Sequence, residues 1–592
     1  MIKDRLEQLR NLMKAQGINA YIIPTNDYHG SEYVSDFFKT REYMSGFTGS
    51  AGTLVVTLKE AGLWTDGRYF LQAGDQLKGS TIDLYKMGEP GVPTIVEFLY
   101  DKLNNNDTLG FDGKCLSTAF ILNILRFLAD KNLNLKFEED LVDKVWTDRP
   151  VLKSKPCYSL DIKYTGKSRV DKIKDLRAAL VRNHADSTVI TSLDDINWLL
   201  NIRGDDVDCN PVILSYVIVT LDKFDLYVML DAVSPELKAE LTKDGVTLHE
   251  YFDVYEDIKK LDSKVCLLEF NKVNYALYGL IKPSIKKVNM MNLTTLPKAR
   301  KNEVELKNIY YAHVKDGVAM CKFLYWLKHN VGKERMTECS IAKKLLGFRA
   351  EQENFKGVSF DTIAGYDYHG AIVHYDQTPE TDIEVFPKSL ILIDSGGQYL
   401  EGTTDITRTV ALGPVTKEQK LHYTLVLKGH LALGNAKFAH GCSGAYIDIL
   451  AREPLFEYGL DFNHGTGHGV GCFLNVHEGP QNISRSITRS SCPMLPGMVT
   501  SDEPGLYITD KYGIRIENLM ACVPYMENYG TEFYQFDTLT LAPYDIDAID
   551  KSILTDDEKK LIHNYHLRIY NTLHEYLPEE VNSWLKEIIE AI

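Results

Sequence analysis

The chain contains no run of about 18 apolar residues, the shortest stretch that crosses a bilayer as a helix, so no transmembrane segment is expected. Its opening, MIKDRLEQLRNLMKAQG, is a charged amphipathic pattern without an apolar core, and no secretory signal is readable in it. Paired cysteine motifs are missing as well. The ten cysteines are scattered, with no CxxC and no Cys/His zinc spacing. Free thiols in a reducing cytoplasm are therefore expected. There is no excess of basic charge: Lys+Arg is 66 against Asp+Glu 82, a net −16. That balance argues against nucleic acid or an anionic membrane as the main partner, while leaving room for a local basic pocket. No low-complexity segment is present. What remains is an ordinary globular mix, 44% hydrophobic and 25% charged. At 592 residues, the length accommodates roughly two to four domains and several cores.

The first half alternates helix and strand patterns. A helix over about Lys3–Gln16 leads into an apolar strand at Asn19–Ile23, and short strands Thr53–Thr57 and Gly62–Thr65 follow a Gly-rich turn. The same order returns at an offset of about 165 residues: helix Lys172–Asn183, strand Ser187–Thr191, an acidic turn, a Gly-containing loop and a strand pair. This reads as a degenerate duplication of one α/β module. Thr147–Pro156 and Leu296–Lys301 read as linkers, giving three domains: 1–150, 151–296 and 297–592. The third opens with a long helix, about Val304–His329, and a second helix capped by Thr337. Strands are expected at Ala371–Tyr375, Ser389–Asp394, Gly402–Val410, Met498–Thr500, Gly505–Ile508 and Ile514–Val523, a helix at Lys417–Phe438, and a helical tail over Ser552–Ile592.

Asp394 ends the apolar strand Leu390-Ile-Leu-Ile-Asp394, and Asp405 sits in Gly402-Thr-Thr-Asp-Ile-Thr-Arg-Thr409. The stretch between them, with Gly396 and Gly397, is long enough for a hairpin turn. Folding back would set the two carboxylates together on adjacent antiparallel strands. Facing carboxylates repel unless a cation lies between them. On spacing alone, a capped turn and an aspartate beside threonines remain an alternative. Downstream, His464-Gly-Thr-Gly-His-Gly-Val-Gly471 runs to His477-Glu-Gly-Pro480, so three of the sixteen histidines fall together among glycines that let the backbone come close. Glu503 and Glu517 follow in strand contexts, Glu517 sharing a face with Arg515. A set of four carboxylates and one imidazole suits Mn, Co or Fe(II) better than a structural zinc. Five side chains serve two metals only if carboxylates bridge.

These segments, with Leu392-Ile-Asp-Ser-Gly-Gly397, Asp502-Glu-Pro-Gly505 and Gly513-Ile-Arg-Ile-Glu-Asn518, resemble the pita-bread metallopeptidases, and most closely the Xaa-Pro aminopeptidases (aminopeptidase P). Trp64-Thr-Asp-Gly-Arg-Tyr69 and the length are similar to the long cytosolic form. The resemblance implies a mixed α/β (α+β) architecture, with two similar creatinase N-terminal-like domains before a pita-bread catalytic domain. It implies two divalent metal ions per subunit, Mn2+ first, with Co2+ or Zn2+ fitting similar donors. Asp394, Asp405, His468, Glu503 and Glu517 match the ligands, Asp405 and Glu517 bridging. His374 matches a substrate contact, His464 the proline pocket, His477 the group that stabilises the tetrahedral intermediate, and Glu503 the proton shuttle to the leaving nitrogen. His468 and His477 also border the substrate. Arg68 resembles a substrate-contacting arginine, in its own or a partner subunit's site, and Arg515 a partner of a ligand carboxylate. The implied reaction is hydroxide attack between two cations on the carbonyl before proline, in a cytoplasmic homodimer acting on peptides with proline second.

Several residues read as bystanders: His369 in a turn, Glu478 pointing away from His477 on a strand, Cys472 as a packing residue, and Asn482-Ile-Ser484 as a glycosylation pattern without meaning in a cytosolic chain. The alternative of the same fold is a prolidase, a dipeptidase with the same metals. A methionine aminopeptidase would look shorter. A creatinase-like enzyme would lack the ligands, and a non-enzymatic chaperone on this fold would show eroded ligands and acidic tails.

Overall fold

The computed structural model describes residues 2–488 and 490–592. It divides into two compact units. The first takes the chain up to Asp161 together with Lys167–Thr295; the second takes Ile162–Gly166 with Leu296–Ile592.

The first unit contains two sheets of the same design. In one, β1 (Ala20–Pro24), β2 (Thr53–Thr57), β3 (Ala61–Thr65), β4 (Asp83–Lys86), β5 (Thr108–Phe111) and β6 (Asn134–Lys136) lie in the order 4-3-2-1-5-6. In the other, β7 (Ser187–Ile190), β8 (Ser215–Thr220), β9 (Phe224–Val228), β10 (Thr247–Glu250), β11 (Val265–Leu268) and β12 (Lys286–Asn289) lie in the order 10-9-8-7-11-12. In each, the first three strands run antiparallel and the outer pairs run parallel. The duplicated module expected from the sequence is thus present. The copies dock through equivalent positions. Thr118 N–H donates to Val273 O at 2.9 Å and Tyr275 N–H to Leu116 O at 2.9 Å, while Ala119 N–H meets Phe270 O at 2.8 Å and Ala276 N–H meets Gly113 O at 2.9 Å. The central strands are buried along their length, so they read as near-continuous apolar runs rather than alternating ones. Helix Ile2–Gln16 buries Leu6, Leu9 and Met13, one stripe at helical spacing, against the first sheet.

The second unit opens with the helix Glu303–Asn330, whose Asn302 cap accepts from Val304 and Glu305 N–H while Glu305 answers at the cap's own N–H. Thr337 caps Glu338–Ala350 as expected. A three-stranded antiparallel sheet, Ile363–Tyr366, Leu390–Ser395 and Ile406–Ala411, is one wall. A six-stranded sheet, in the order Lys437–Ala439, Thr531–Thr538, Asn518–Asn528, Val499–Asp502, Gly467–Gly469 and Glu478–Ile483, is another. Helices Lys417–Gly434 and Gly444–Phe456 pack on the apolar cluster that includes Leu390, Leu427 and Ile514. Helices Asp556–Leu573 and Glu579–Glu590 complete the tail.

One sequence expectation fails here. Ala371–Tyr375 is not a strand: Asp367–Ala371 is a 3₁₀ turn, because Gly370 lies backbone to backbone against Gly513 and leaves no room for a ladder. The segment Leu296–Lys301, read as a linker, is ordered: it carries most of the helix Thr295–Ala299, and Lys298 and Lys301 are buried. Thr147–Pro156 is mostly exposed and irregular.

In the tail, His566 is buried and its Nε2 accepts the Tyr544 N–H at 3.1 Å. Burial first, then the Arg408 charge, pulls its pKa down to about 3. The folded state therefore refuses a proton that the unfolded chain accepts below its ordinary pKa. Stability contributed by neutral His566 is present above pH 6.5 and is lost as pH falls from there toward 3, by about 2 kcal/mol at pH 5. Urea midpoints for wild type and His566→Gln should converge on going from pH 7 to pH 5; an unchanged gap between them contradicts this.

Candidate metal centre

Asp394 pairs across the ladder with Thr407, and Ser395 with Ile406, so the expected hairpin places Asp405 just beyond its partner strand. The turn is itself ordered, with Gly397–Tyr399 pairing against Gly402–Thr403. Between the strands Tyr512–Arg515 and Asn518–Asn528 the ladder breaks, and Glu517 occupies the break. Its N–H donates to Thr407 O at 3.0 Å, and its Oε2 accepts from Thr407 Oγ1 at 2.8 Å. Thr407 is thus a holder of Glu517 that the sequence reading passed over. Its signal was present, since Asp405, Thr407 and Thr409 recur at the period of a strand face.

The Gly-rich loop is pinned from behind. Arg452, on helix Gly444–Phe456, bonds Asp448 at 2.7 Å and donates to Phe462 O at 2.7 Å and His464 O at 3.0 Å. Two glycines beside the central histidine are required by close approach. A Cβ on Gly467 would lie 2.0 Å from Ser501 O, and one on Gly469 would lie 2.1 Å from Glu478 O. Gly469→Ala must therefore push the strand carrying His468 out of line. It is expected to weaken metal binding by about 10- to 100-fold, as loss of a ligand's supporting contacts does, which a calorimetric metal titration would read; unchanged affinity would show that the close packing does not set His468.

The five residues expected to bind metal converge. Ligand atoms of Asp394, Asp405 and Glu517 lie within 4.8 Å of one another, as do those of His468, Glu503 and Glu517, and those of Asp405, His468 and His477. His468 Nε2 is 3.5 Å from Asp405 Oδ2 and 3.5 Å from Glu503 Oε1. The rings of His468 and His477 meet edge to face with centroids 4.4 Å apart. Glu503 is oriented by Ser501 Oγ, which donates to its Oε1 at 3.1 Å and itself accepts from His468 N–H at 2.9 Å.

The electrostatics demand positive charge. Burial first, then the neighbouring carboxylates, pushes the carboxyl group of Glu517 up; that of Asp394 rises from burial and Asp405 despite Arg515, and that of Glu503 from burial and Asp405 despite His468. Burial works against a charged His468, but the hydrogen bond and charge of Asp405 together with the Glu503 charge outweigh it and lift the ring to about 9. Asp394 Oδ1, Asp405 Oδ1 and Glu517 Oε1 are buried with no protein partner. Such oxygens are costly unless something satisfies them. Three of them on three converging carboxylates, beside an imidazole, form an oxygen-rich donor set that fits divalent cations.

Arg515 ties the set to its surroundings. Its Nη2 donates to Asp394 Oδ2 at 2.6 Å, its Nε to Thr407 Oγ1 at 3.2 Å and its Nη1 to Tyr507 OH at 2.6 Å. Tyr507 OH in turn lies 2.8 Å from His464 Nε2. In the sequence, Tyr507 is marked only by its place in the strand Gly505–Ile508. His374 follows a turn organised by the fully buried Glu338, which accepts from Tyr366 N–H at 2.7 Å and Tyr375 OH at 2.8 Å and lies 2.9 Å from His369 Nδ1. His369 is thus engaged by Glu338, and Cys472 is a buried packing residue of an apolar cluster. Arg68 belongs to the first unit, where it forks onto Asp66 at 2.8 and 2.9 Å with Glu32 beside it.

Comparison with known proteins agrees with this layout. Residues 307–524 match metallopeptidase family M24 and 532–592 its C-terminal region; residues 5–138 and 148–305 each match a creatinase/prolidase N-terminal domain. Xaa-Pro aminopeptidase 1 of Dictyostelium discoideum is 38% identical over 100% of this chain and 97% of its own. The X-prolyl aminopeptidase of Caenorhabditis elegans, described as a cytosolic enzyme with a di-nuclear active site, superposes with a TM-score of 0.95 at 35% identity, covering 100% of this chain and 99% of that one. A Xaa-Pro dipeptidase from Bacillus anthracis shares the fold over only 64% of this chain and 99% of its own, at 22% identity and a TM-score of 0.51. With its duplicated creatinase-like modules and its M24 unit matched end to end by such relatives, this chain belongs to the Xaa-Pro aminopeptidase family of M24 metallopeptidases.

Proposed function

We propose that the protein is a metal-dependent aminopeptidase that releases the first residue from peptides with proline in second position. The observation that carries the reading is the trio of buried, unpartnered carboxylate oxygens on Asp394, Asp405 and Glu517 beside His468 and Glu503. Asp394, Asp405, His468, Glu503 and Glu517 would hold two divalent ions. When bound, such a pair lowers the pKa of water to supply a nucleophile and polarises the scissile carbonyl.

The chain's own residues do the rest. Glu503, with its carboxyl pushed up in pKa, is suited to carry a proton between water and the leaving imino nitrogen. His477, whose ring lies edge-on to that of His468, donates in this reading to the oxyanion that develops as the carbonyl is attacked. His464, held by Tyr507, lines the proline pocket, and His374, on the turn that Glu338 fixes, contacts the substrate. Arg68 is the first unit's candidate for touching substrate. We also propose Mn2+ as the working metal, a homodimer, a cytoplasmic location and three domains, 1–150, 151–296 and 297–592. Among the described residues no helix is long and apolar enough to cross a membrane.

The test is the chelator-treated protein, with and without added Mn2+, on the tripeptide Phe-Pro-Ala and the dipeptide Phe-Pro. Tripeptide cleavage restored by Mn2+ is expected. Cleavage of the dipeptide alone would make it a prolidase, and activity indifferent to chelation would end the metal reading.

A further inference from the structure

Glu478 follows His477 directly, and its carboxylate is buried between two lysines. Lys301 Nζ lies 2.5 Å from Oε1 and Lys298 Nζ lies 2.8 Å from Oε2, with all three side chains 5% exposed or less. Two ammonium groups are thus gathered on one buried carboxylate. Buried ions of this kind are weak stabilisers, and apolar groups of the same size often serve a fold as well or better. Their positions point to another use. Glu478 pairs in the ladder with Gly469, so it is next to His477 along the chain and opposite the neighbour of His468 across the sheet. Lys301 is anchored apart from Glu478 and is tied to Lys298. Lys301 N–H donates to Gly497 O at 2.9 Å, Lys301 Nζ also reaches Lys298 O at 3.1 Å, and Arg300 bridges Met498 at the start of the strand that leads to Glu503.

We propose that Lys298, Glu478 and Lys301 are positioning residues, a buried clamp that sets the His477 ring against His468 and so acts on the chemical step. The two rings then keep their edge-to-face geometry only while the carboxylate after His477 is held from both sides. The proposal rests on the aminopeptidase reading for its kinetic readout. It predicts a defect in kcat with KM and metal content preserved, which a merely stabilising ion cluster would not produce.

The experiment compares wild type, Lys301→Met, Glu478→Gln and Glu478→Asp, loaded with Mn2+ and assayed on Phe-Pro-Ala well below their melting temperatures. Lys301→Met and Glu478→Gln should lose at least about tenfold in kcat, with KM within about twofold and two metal ions per chain. Glu478→Asp, which keeps the charge, should recover part of that loss. In the Co2+-loaded protein the visible absorption bands should shift with the same variants, a readout that needs no substrate. An unchanged kcat and spectrum in folded variants that merely melt earlier would overturn the clamp. If Glu478→Gln does not fold, Lys301→Met gives the decision, because it leaves the Glu478–Lys298 pair intact. Wild type inactive on the tripeptide would instead defeat the substrate reading, leaving the spectral test of the clamp standing.

Discussion

Asp405→Asn is expected to fold, to bind fewer than two metal ions per chain and to cleave Phe-Pro-Ala at least about a thousandfold more slowly, a loss of about 4 kcal/mol from the transition state. The side chain sits where the two halves of the centre meet. It shares ligand reach with Asp394 and Glu517 on one side and with His468 and His477 on the other. An amide keeps the volume and one oxygen but cannot carry the charge that two cations would share. The same change should not harm the fold. Coulombic repulsion from Asp405 helps push up the carboxyl groups of Glu517, Asp394 and Glu503, so removing that charge relieves strain among three carboxylates, which offsets the loss of its attraction for the single imidazole of His468. The expected signature is therefore two-sided. In chelator the variant should melt no lower than wild type, while the rise in melting temperature that Mn2+ gives wild type should shrink or vanish, since a ligand stabilises only in proportion to its binding. A variant that binds two ions and retains full activity would remove Asp405 from the centre. One that melts lower in chelator would show that its charge is structural.

The parts of this centre legible in the sequence are those written locally. An apolar strand ending in Asp394, a pair of glycines and a strand opening after Asp405 specify a hairpin, because turn chemistry and alternation are read over a few residues. The interleaved glycines at 467 and 469 announce close backbone approach, and Ser501 O and Glu478 O are what approaches. The duplicated module was visible because its strand order repeats along the chain, although its reciprocal docking through Thr118 and Tyr275 was not. What was missed depends on contacts between distant segments. Glu338 is more than thirty residues before the turn that it fixes around His374 (the pair with His369 spans 31 positions). No local pattern marks a strand-prone stretch that must bend because Gly370 meets Gly513. Lys298 and Lys301 look like linker residues until Glu478, 177 positions after Lys301, is folded against them. Tyr507 shows no special spacing, and its role appears only when His464 and Arg515 arrive on either side of its hydroxyl.

Arg515→Met should produce the second-largest loss, roughly a hundredfold in kcat/KM, divided between metal affinity and substrate binding. The guanidinium is buried and bonds three groups at once: Asp394, Thr407 and Tyr507. Through Asp394 and Thr407 it braces two ligand carboxylates, because Thr407 also donates to Glu517. Through Tyr507 it braces His464, the residue assigned to the proline pocket. Methionine fills much of the space without the charge, so Asp394 would be left facing other carboxylates with its strongest partner gone. Breaking a buried pair from one side costs about 3–5 kcal/mol, because the remaining charge is uncompensated. Bound cations offset part of that cost, so the defect should be largest in chelator and smaller, though still present, with saturating Mn2+. Lysine is an informative contrast, since it keeps the charge but not the planar fork that reaches separate partners. Arg515→Lys should hold Asp394 well enough to keep both ions and yet release Tyr507. Its kcat should then stay within a few fold of wild type while KM for Phe-Pro-Ala rises. Equal kinetics for the lysine and methionine variants would mean that the planar fork, and not the charge, is what the arginine contributes, and wild-type kinetics in both would separate it from the centre altogether.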